Sequence, residues 1–317
     1  MVSEKMVVKI AVIGVGGWGK NHLRVLSKIN CLTAFCDINR ERVNLYQKQY
    51  GIKGYDSVDE LLSNEDLDAV TICTPTITHG ELAKKTLVSG LHTFVEKPLA
   101  HTSSECEDLA DLADKMRLTL TSGYIERFNP AVSDLKTVID SKRLGSLLLL
   151  EFHRENKWAG NIIDVGIVTD TSVHDIDTAR WLFKKEPNMV FARTGSAISD
   201  YEDFAAIILG FGDQKTAFIA SNWITPKKVR QVIAVCSNGI ATVDFITQEL
   251  KIDDENGTSV PKNRWKEPLL MEMKNFIGCI EKKHRPMVTS RDAINTTKIA
   301  EAALTSSKTG TPIYLKL

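Results

Sequence analysis

The 317-residue chain carries no excess charge of either sign, since forty Lys and Arg stand against forty Asp and Glu. A balanced chain projects no long-range field toward nucleic acid or an acidic membrane surface, so neither partner is expected. It also lacks any stretch near the ~18 consecutive apolar residues of a membrane span. The opening Met-Val-Ser-Glu-Lys-Met does not read as a signal peptide, because the apolar run behind it is strand-like and short. Six cysteines (31, 36, 73, 106, 236 and 279) are scattered without CxxC or Cys/His ligand spacing, which argues against a zinc site and a disulfide framework. A cytoplasmic protein is expected. At this length two domains are expected, since single cores stop growing at about 250–300 residues.

What is present begins with a strand, a glycine turn and a helix. Val7 to Ile13 is apolar except for Lys9, Gly14-Val15-Gly16-Gly17-Trp18-Gly19 follows, and Lys20 to Ile29 is helical in pattern. In that order a GxGxxG turn can bind a dinucleotide. Gly14 permits the tight turn, Gly16 lets the backbone approach a pyrophosphate, and Gly19 lets the helix lie on the strand. An ordinary βαβ turn is the plainer alternative. The next strand, Leu32 to Cys36, ends in Asp37, eighteen residues past the last glycine. A carboxylate there can accept hydrogen bonds from an adenosine ribose, which favours NAD; nearby Arg40 could receive a 2′-phosphate and leaves NADP open.

Residues 1–121 continue with alternating strand and helix patterns, the mark of a doubly wound parallel sheet. Helices are expected at 40–50, near 58–62 and at 79–89, the last capped by Thr78, and Ser104 to Glu107 reads as a capping box. Past Tyr124 the texture changes. Asn129 and Pro130 open a helix, Val173 to Phe183 is helical, and strands recur at about ten-residue intervals from Met189 to Ile252. This predicts a second domain over 122–317 with a mostly antiparallel sheet. Asp253 to Pro261 reads as a surface loop, followed by helices at 268–283 and 291–307 and a last short strand. Ligands bind outside the carboxyl ends of parallel strands, so the second domain is expected to cover that edge and form a cleft.

Three constellations follow predicted strands or open a helix. Thr74-Pro75-Thr76 with His79 reads either as a helix cap or as a turn that packs along the dinucleotide. Glu96-Lys97-Pro98 places a lysine before proline, in extended backbone and with a cis bond possible; it is either a solvated surface lysine or one that holds a substrate hydroxyl. Asp170-Thr171-Ser172-Val173-His174-Asp175-Ile176-Asp177 puts 170 and 174 on one helical face. It reads as an acid/base histidine with a supporting carboxylate, as a charged helix start, or as a metal cluster; the missing further ligand argues against the metal.

With these motifs in view, GVGGWG, Asp37, TPTITHGELA, HTFVEKPLA, GYIERFNP, DTSVHDIDTARWL and SSKTGTPIYL resemble, in order and over essentially the whole chain, the Gfo/Idh/MocA oxidoreductase family. The resemblance implies a Rossmann domain followed by an α/β domain with a large open sheet, and NAD(P)-dependent oxidation of a sugar or cyclitol hydroxyl. It implies catalytic roles for Lys97, Asp170 and His174, and a cofactor wall of Gly14, Gly16, Gly19, Asp37, Thr74, His79, Glu96 and Lys97; Gly17, a departure that adds flexibility to the turn, Trp18 and Pro75 are further cofactor-binding candidates beside it. Ser172 stands where many relatives carry Gly, which could narrow the pocket or alter the turn. GYIERFNPAV resembles the subgroup that oxidises the 3-hydroxyl of nucleotide-linked amino sugars such as UDP-N-acetylglucosamine. A diphosphate needs cationic donors, for which Arg127, Arg154 and Lys157 are candidates, with Trp158 as a stacking surface. Free sugar or inositol is the alternative substrate. A non-catalytic NAD sensor and a biliverdin-reductase-like enzyme are further alternatives. An open sheet face is usually covered by a second copy, so a homodimer or homotetramer is expected.

Overall fold

A computed structural model describes residues 7–157, 164–212, 214–262 and 264–317. They group into two compact units, one running to Gly123 with Leu269–Ile294 added, the other comprising Tyr124–Pro268 and Asn295–Leu317.

The first unit alternates strand and helix: β1 (Ile10–Ile13), α1 (Gly19–Lys28), β2 (Leu32–Cys36), α2 (Arg40–Tyr50), β3 (Lys53–Tyr55), α3 (Val58–Asn64), β4 (Ala69–Ile72), α4 (His79–Val88), β5 (His92–Val95), α5 (Ser103–Met116) and β6 (Leu120–Ser122). The strands form one sheet in the order β3-β2-β1-β4-β5-β6, and every pairing is parallel. β1 and β4 are buried at every residue, as strands covered on both faces must be. The order steps away on both sides of β1, so a switch point lies between β1 and β4, where the glycine turn leaves the sheet.

Leu269–Ile294 belongs to this unit although the sequence pattern assigned it to the second domain. The cause is packing. Phe276 lies 5.8 Å from Phe94 of β5 between ring centroids, and the Thr121 hydroxyl donates to the Val288 carbonyl at 2.7 Å.

The second unit opens with α6 (Pro130–Asp140), whose first turn is capped by Asn129 accepting from the Ala131 N–H. Then come β7 (Leu147–Glu155), α7 (Val173–Phe183), β8 (Met189–Gly195), β9 (Phe204–Gly210), β10 (Thr216–Asn222), β11 (Val229–Cys236), β12 (Gly239–Asp244), β13 (Glu249–Asp254) and β14 (Gly257–Ser259). The chain ends in α8 (Pro268–Lys282), α9 (Ser290–Thr309) and β15 (Ile313–Tyr314). The strands form one sheet, β14-β13-β12-β11-β7-β10-β9-β8-β15, antiparallel except for the parallel pair β7–β10. α6 packs on β12 and β13, and α7 on β7 and β10. On the sheet's other face Phe191, Ile208, Phe218, Glu151 and Ile233 stand in register in one row.

Several local expectations change. Thr78 does not cap α4; its hydroxyl bonds Thr74 Oγ1 at 2.7 Å and the Pro75 carbonyl at 2.8 Å. The capping box before α5 is Thr102 with Glu105, two residues earlier than the Ser104 frame. The polar stretch after Ile252 is largely a hairpin, β13–β14, rather than a loop. Among the described residues no helix is long and apolar enough to cross a membrane.

Candidate functional site

In the first unit the polar candidates gather around the carboxyl ends of β1, β2, β4 and β5. Gly14 has φ +84°, and a Cβ there would meet Thr74 Cγ2 at 2.7 Å and the Thr74 nitrogen at 2.9 Å. At Gly19 a Cβ would collide with the Gly14 carbonyl oxygen, so α1 can approach the strand this closely only with glycine. Gly16 is half-buried, while Gly17 and Trp18 are exposed at the mouth of the turn. α1 starts without a side-chain cap and without an acid in its first turn, which leaves its N-terminal dipole for an anion.

Asp37 is buried, and its carboxylate accepts the Val15 N–H at 2.8 Å and the Asn39 N–H at 2.9 Å. It therefore braces the glycine turn and holds an acid beside it. Arg42, not Arg40, is the neighbouring cation: its Nη1 lies 3.4 Å from Asp37 Oδ2, and a Cβ on Gly16 would meet the same nitrogen at 3.3 Å. Arg40 is exposed and bonded to Asp56. Burial, reinforced by Asp37, pushes the adjoining Cys36 thiol up to about 12.

Thr74 and Pro75 lead from β4 into a 3₁₀ turn, Thr76–Thr78. His79 is buried, with Nδ1 at 2.7 Å from the Pro98 carbonyl and Nε2 at 2.9 Å from the Thr74 carbonyl. Its ring thus clamps the turn after β4 to the turn after β5, a positioning role. Glu96 is buried and meets His22 Nε2 of α1 at 2.8 Å, while its other oxygen accepts the Lys97 N–H at 3.2 Å. The Lys97–Pro98 bond is cis, and Lys97 is half-buried. The cofactor-wall candidates thus form one connected array along a single sheet edge, and its features fit a dinucleotide: a turn with no room for side chains, an uncapped helix start, and a carboxylate next to both. A cavity of about 710 Å³ in this unit, lined by His92, Arg117 and Thr119 among others, lies at the opposite, amino ends of β5 and β6.

In the second unit Asp170 sits in a π-helical turn, Val168–Ser172, that runs directly into α7. Its Oδ2 accepts from the Thr171 hydroxyl at 2.8 Å. The turn is pinned to the sheet by Ser172 Oγ to Ser221 Oγ at 3.0 Å and by Trp223 Nε1 to Thr171 Oγ1 at 3.2 Å. Ser172 is fully buried against β10, so its hydroxyl serves as an anchor and does not narrow a pocket. The four ionisable residues of the motif separate by exposure. Asp170 and His174 are half-buried, whereas Asp175 and Asp177 are each 1% exposed. The Tyr124 ring meets His174 edge-on at 6.4 Å.

The buried acids explain two of the predicted phosphate donors. Arg127 is 3% exposed and forks onto Asp177, Nε at 2.8 Å and Nη2 at 2.6 Å. Arg154 is 1% exposed, with Nε and Nη2 on Asp175 at 2.8–3.0 Å and Nη1 on Glu126 at 2.9 Å. Burial opposes its charge, but the two carboxylates outweigh burial and hold the guanidinium protonated. Both arginines are therefore committed to buried acids, and the expectation that they meet a substrate diphosphate is corrected. Lys157 is exposed and lines a cavity of about 350 Å³ with Asn156, Pro226, Lys228 and Arg230. Lys228 and Arg230 escaped the sequence reading, although the alternation of β11 puts Arg230 on the inward phase, an unusual place for a cation. Trp158 lies outside the described residues.

Residues 8–124 match the model of an oxidoreductase family with an NAD-binding Rossmann fold, and residues 132–242 match the GFO/IDH/MocA C-terminal domain. The UDP-N-acetylglucosamine 3-dehydrogenase of Acidithiobacillus ferrooxidans is 27% identical, over 94% of this chain and 95% of its own. A scyllo-inositol 2-dehydrogenase (NAD(+)) of Bacillus subtilis is 26% identical, over 97% and 96% respectively. A solved structure of the Acidithiobacillus enzyme gives a TM-score of 0.88 at 25% identity, covering 95% of this chain and 98% of that one.

Proposed function

The chain belongs to the Gfo/Idh/MocA oxidoreductase family, whose first domain binds NAD, and from that premise we propose that it is an NAD-dependent dehydrogenase that oxidises a secondary hydroxyl of a nucleotide sugar, with the 3-hydroxyl of UDP-N-acetylglucosamine as substrate and the 3-keto sugar as product. The observation that carries the reading is the separation within the 170–177 motif: Asp175 and Asp177 are consumed by buried arginines, while Asp170 and His174 stay accessible. A purely structural helix start would have no reason to leave that one pair within reach of a ligand while burying its two neighbours.

In the proposed reaction the substrate C–H and O–H bonds break and a C=O bond forms. NAD supplies the hydride acceptor. His174 takes the hydroxyl proton. Asp170 orients the imidazole or the neighbouring hydroxyl, and the Lys97 ammonium stabilises negative charge on the substrate oxygen. Gly14, Gly16, Gly17, Trp18 and Gly19 hold the pyrophosphate, and Asp37 accepts from the ribose diol. Thr74, Pro75, His79 and Glu96 shape the adjoining wall.

Inositol oxidation is the second reading, favoured by the scyllo-inositol relative. The test is absorbance at 340 nm with NAD and, in separate reactions, UDP-N-acetylglucosamine, N-acetylglucosamine, scyllo-inositol and myo-inositol. The first reading expects NADH from the nucleotide sugar alone; turnover of an inositol with none from the nucleotide sugar transfers the assignment. Assembly as a homodimer or homotetramer, and a cytoplasmic setting, belong to the same proposal. The row Phe191, Ile208, Phe218 and Ile233 supports the first, and six free thiols support the second.

A further inference from the structure

Arg230 is out of place. β11 sends alternate side chains inward, and Arg230 shares the packed face with Val232, Ala234 and Cys236. Its Nε is buried and, among the described residues, has no hydrogen-bond partner. The acids nearest in the network, Asp175 and Glu126, are bonded by Arg154. A guanidinium nitrogen out of water and without an acceptor is costly, and native proteins rarely keep one without a use.

Its surroundings add to the cost. Lys228, two residues earlier, and Lys157, just past β7, line the same cavity of about 350 Å³, with Asn156 and Pro226, and no acid is among the lining residues. Arg230, then burial, depresses the affinity of Lys228 for its proton, and burial, then Arg154, does the same to Arg230. Glu126, Asp175 and Asp170 favour the charge on Arg230 only through space. Three cations converging on a cavity without an acid are mutually repulsive until an anion enters.

The cavity also lies at the functional end of the sheet. Glu155 ending β7, Asn222 ending β10 and Val229 opening β11 stand in one row. Ser221 and Trp223, on either side of Asn222, are the residues that pin the Asp170 turn.

We propose that Arg230, Lys228 and Lys157 form an anion subsite that receives the phosphoryl groups of a nucleotide-linked sugar, and that this subsite selects such a substrate over a neutral sugar or inositol. A planar, fixed guanidinium flanked by two flexible ammonium groups suits oxygens spread over two phosphoryl centres. A neutral polyol would leave all three charges without a counter-ion. The assignment rests on the dehydrogenase reading only for the part of the ligand that is oxidised.

The test separates the two. UDP alone, without NAD, is titrated calorimetrically into the full chain and into Arg230→Met, Lys228→Gln and Arg154→Met, with glucuronate as a carboxylate control. The expected result is UDP binding that weakens at least tenfold in Arg230→Met, severalfold in Lys228→Gln, and falls with added salt. Arg230→Met should melt no lower than the parent, since it removes a buried nitrogen without an acceptor and relieves repulsion between cations, whereas Arg154→Met should melt far lower. Lys228→Gln alters an exposed side chain and keeps the test open if Arg230→Met does not fold. UDP affinity unchanged in both variants, or no UDP binding by the parent, overturns the subsite. Glucuronate binding as tightly as UDP overturns the phosphoryl assignment. Loss of UDP binding in Arg230→Met with no oxidation of any nucleotide sugar by the parent keeps the subsite and removes the dehydrogenase reading. Oxidation of UDP-N-acetylglucosamine with an unchanged KM in Arg230→Met keeps the dehydrogenase reading and removes the subsite.

Discussion

Arg154 and Arg230 face each other across the β7–β11 pair, directly in register and on the same packed side of the sheet, yet only Arg154 has carboxylates to bond. The residue type is the same; Arg154 is fully buried among its acids, while Arg230 is half-buried and lines a cavity. Breaking a buried ion pair by removing one partner leaves the other charge stranded, at about 3–5 kcal/mol. Arg154→Met is therefore expected to lose stability on that scale in chemical denaturation, because it strands Asp175 and Glu126. Replacing Arg154 and Asp175 together by apolar residues should recover much of the loss.

For His174→Asn, turnover with the cognate sugar should fall by about 10²- to 10⁴-fold, the range of a general base. NAD affinity, followed by fluorescence titration, should stay within twofold. Normal turnover in this variant would move the base elsewhere. Lys97→Met should lower kcat by about 10²- to 10³-fold, on the scale of a lost oxyanion donor.

Cofactor choice is expected to turn on Asp37 and Arg42. The carboxylate repels a 2′-phosphate, while the guanidinium 3.4 Å away is half-exposed and able to receive one. The parent should prefer NAD by kcat/KM. Asp37→Ser should weaken NAD by about tenfold or more, since hydrogen bonds to a charged group are each worth about 1.5–3 kcal/mol. The same change releases Arg42, so NADP should gain relative to NAD. Adding Arg42→Ala should remove that gain.

The Cys36 thiol ties stability to alkaline pH. Its ordinary value is 9.0, and in the fold burial and Asp37 raise it to about 12. A raised acid contributes stability that is complete below pH 9 and is lost as pH climbs toward 12, because the unfolded chain ionises first. The loss approaches about 1.4 kcal/mol per pH unit inside that window. Cys36→Ala should flatten the fall of the melting temperature there relative to the parent. An identical alkaline slope in both proteins would contradict the assignment.

Assembly is checked by light scattering. A dimer or tetramer is expected for the parent, and Ile208→Lys with Phe218→Lys should shift it to monomer, because two ammonium groups would enter the apolar row of the open sheet face. A monomeric parent ends that proposal.

Much of this architecture is legible in residue patterns, because hydrophobic period and punctuation are local. β2, α2 and α7 occupy the predicted spans, and the glycine turn follows β1 as its spacing demands. What escapes is what tertiary context decides. β3 is Lys53-Gly54-Tyr55, too short for a period; Gly54 is there because a Cβ would press on Phe35 and Val43. The β13–β14 hairpin hides in acids, although Asn256-Gly257 is a turn signal and Leu250 and Ile252 alternate inward. In the site, the motif names Asp170 and His174 together with Asp175 and Asp177, and only burial tells the pairs apart. Arg127 and Arg154 look like ligand-binding cations for the same reason, since a sequence does not reveal which arginine has already found an acid.

The first unit is completed by residues that the chain delivers late. Leu269–Ile294 brings Phe276 to Phe94 and the Val288 carbonyl to Thr121 only after the second unit's sheet, but for β15, has been spelled out. A nascent chain that has just emerged past Gly123 can set His22 of α1 against Phe94, but it still lacks Phe276, so part of that ring stays uncovered. Cotranslational folding cannot finish domain by domain here, and a fragment cut at that glycine should be prone to aggregation, an N-terminal segment that must wait on the ribosome for its own last helix.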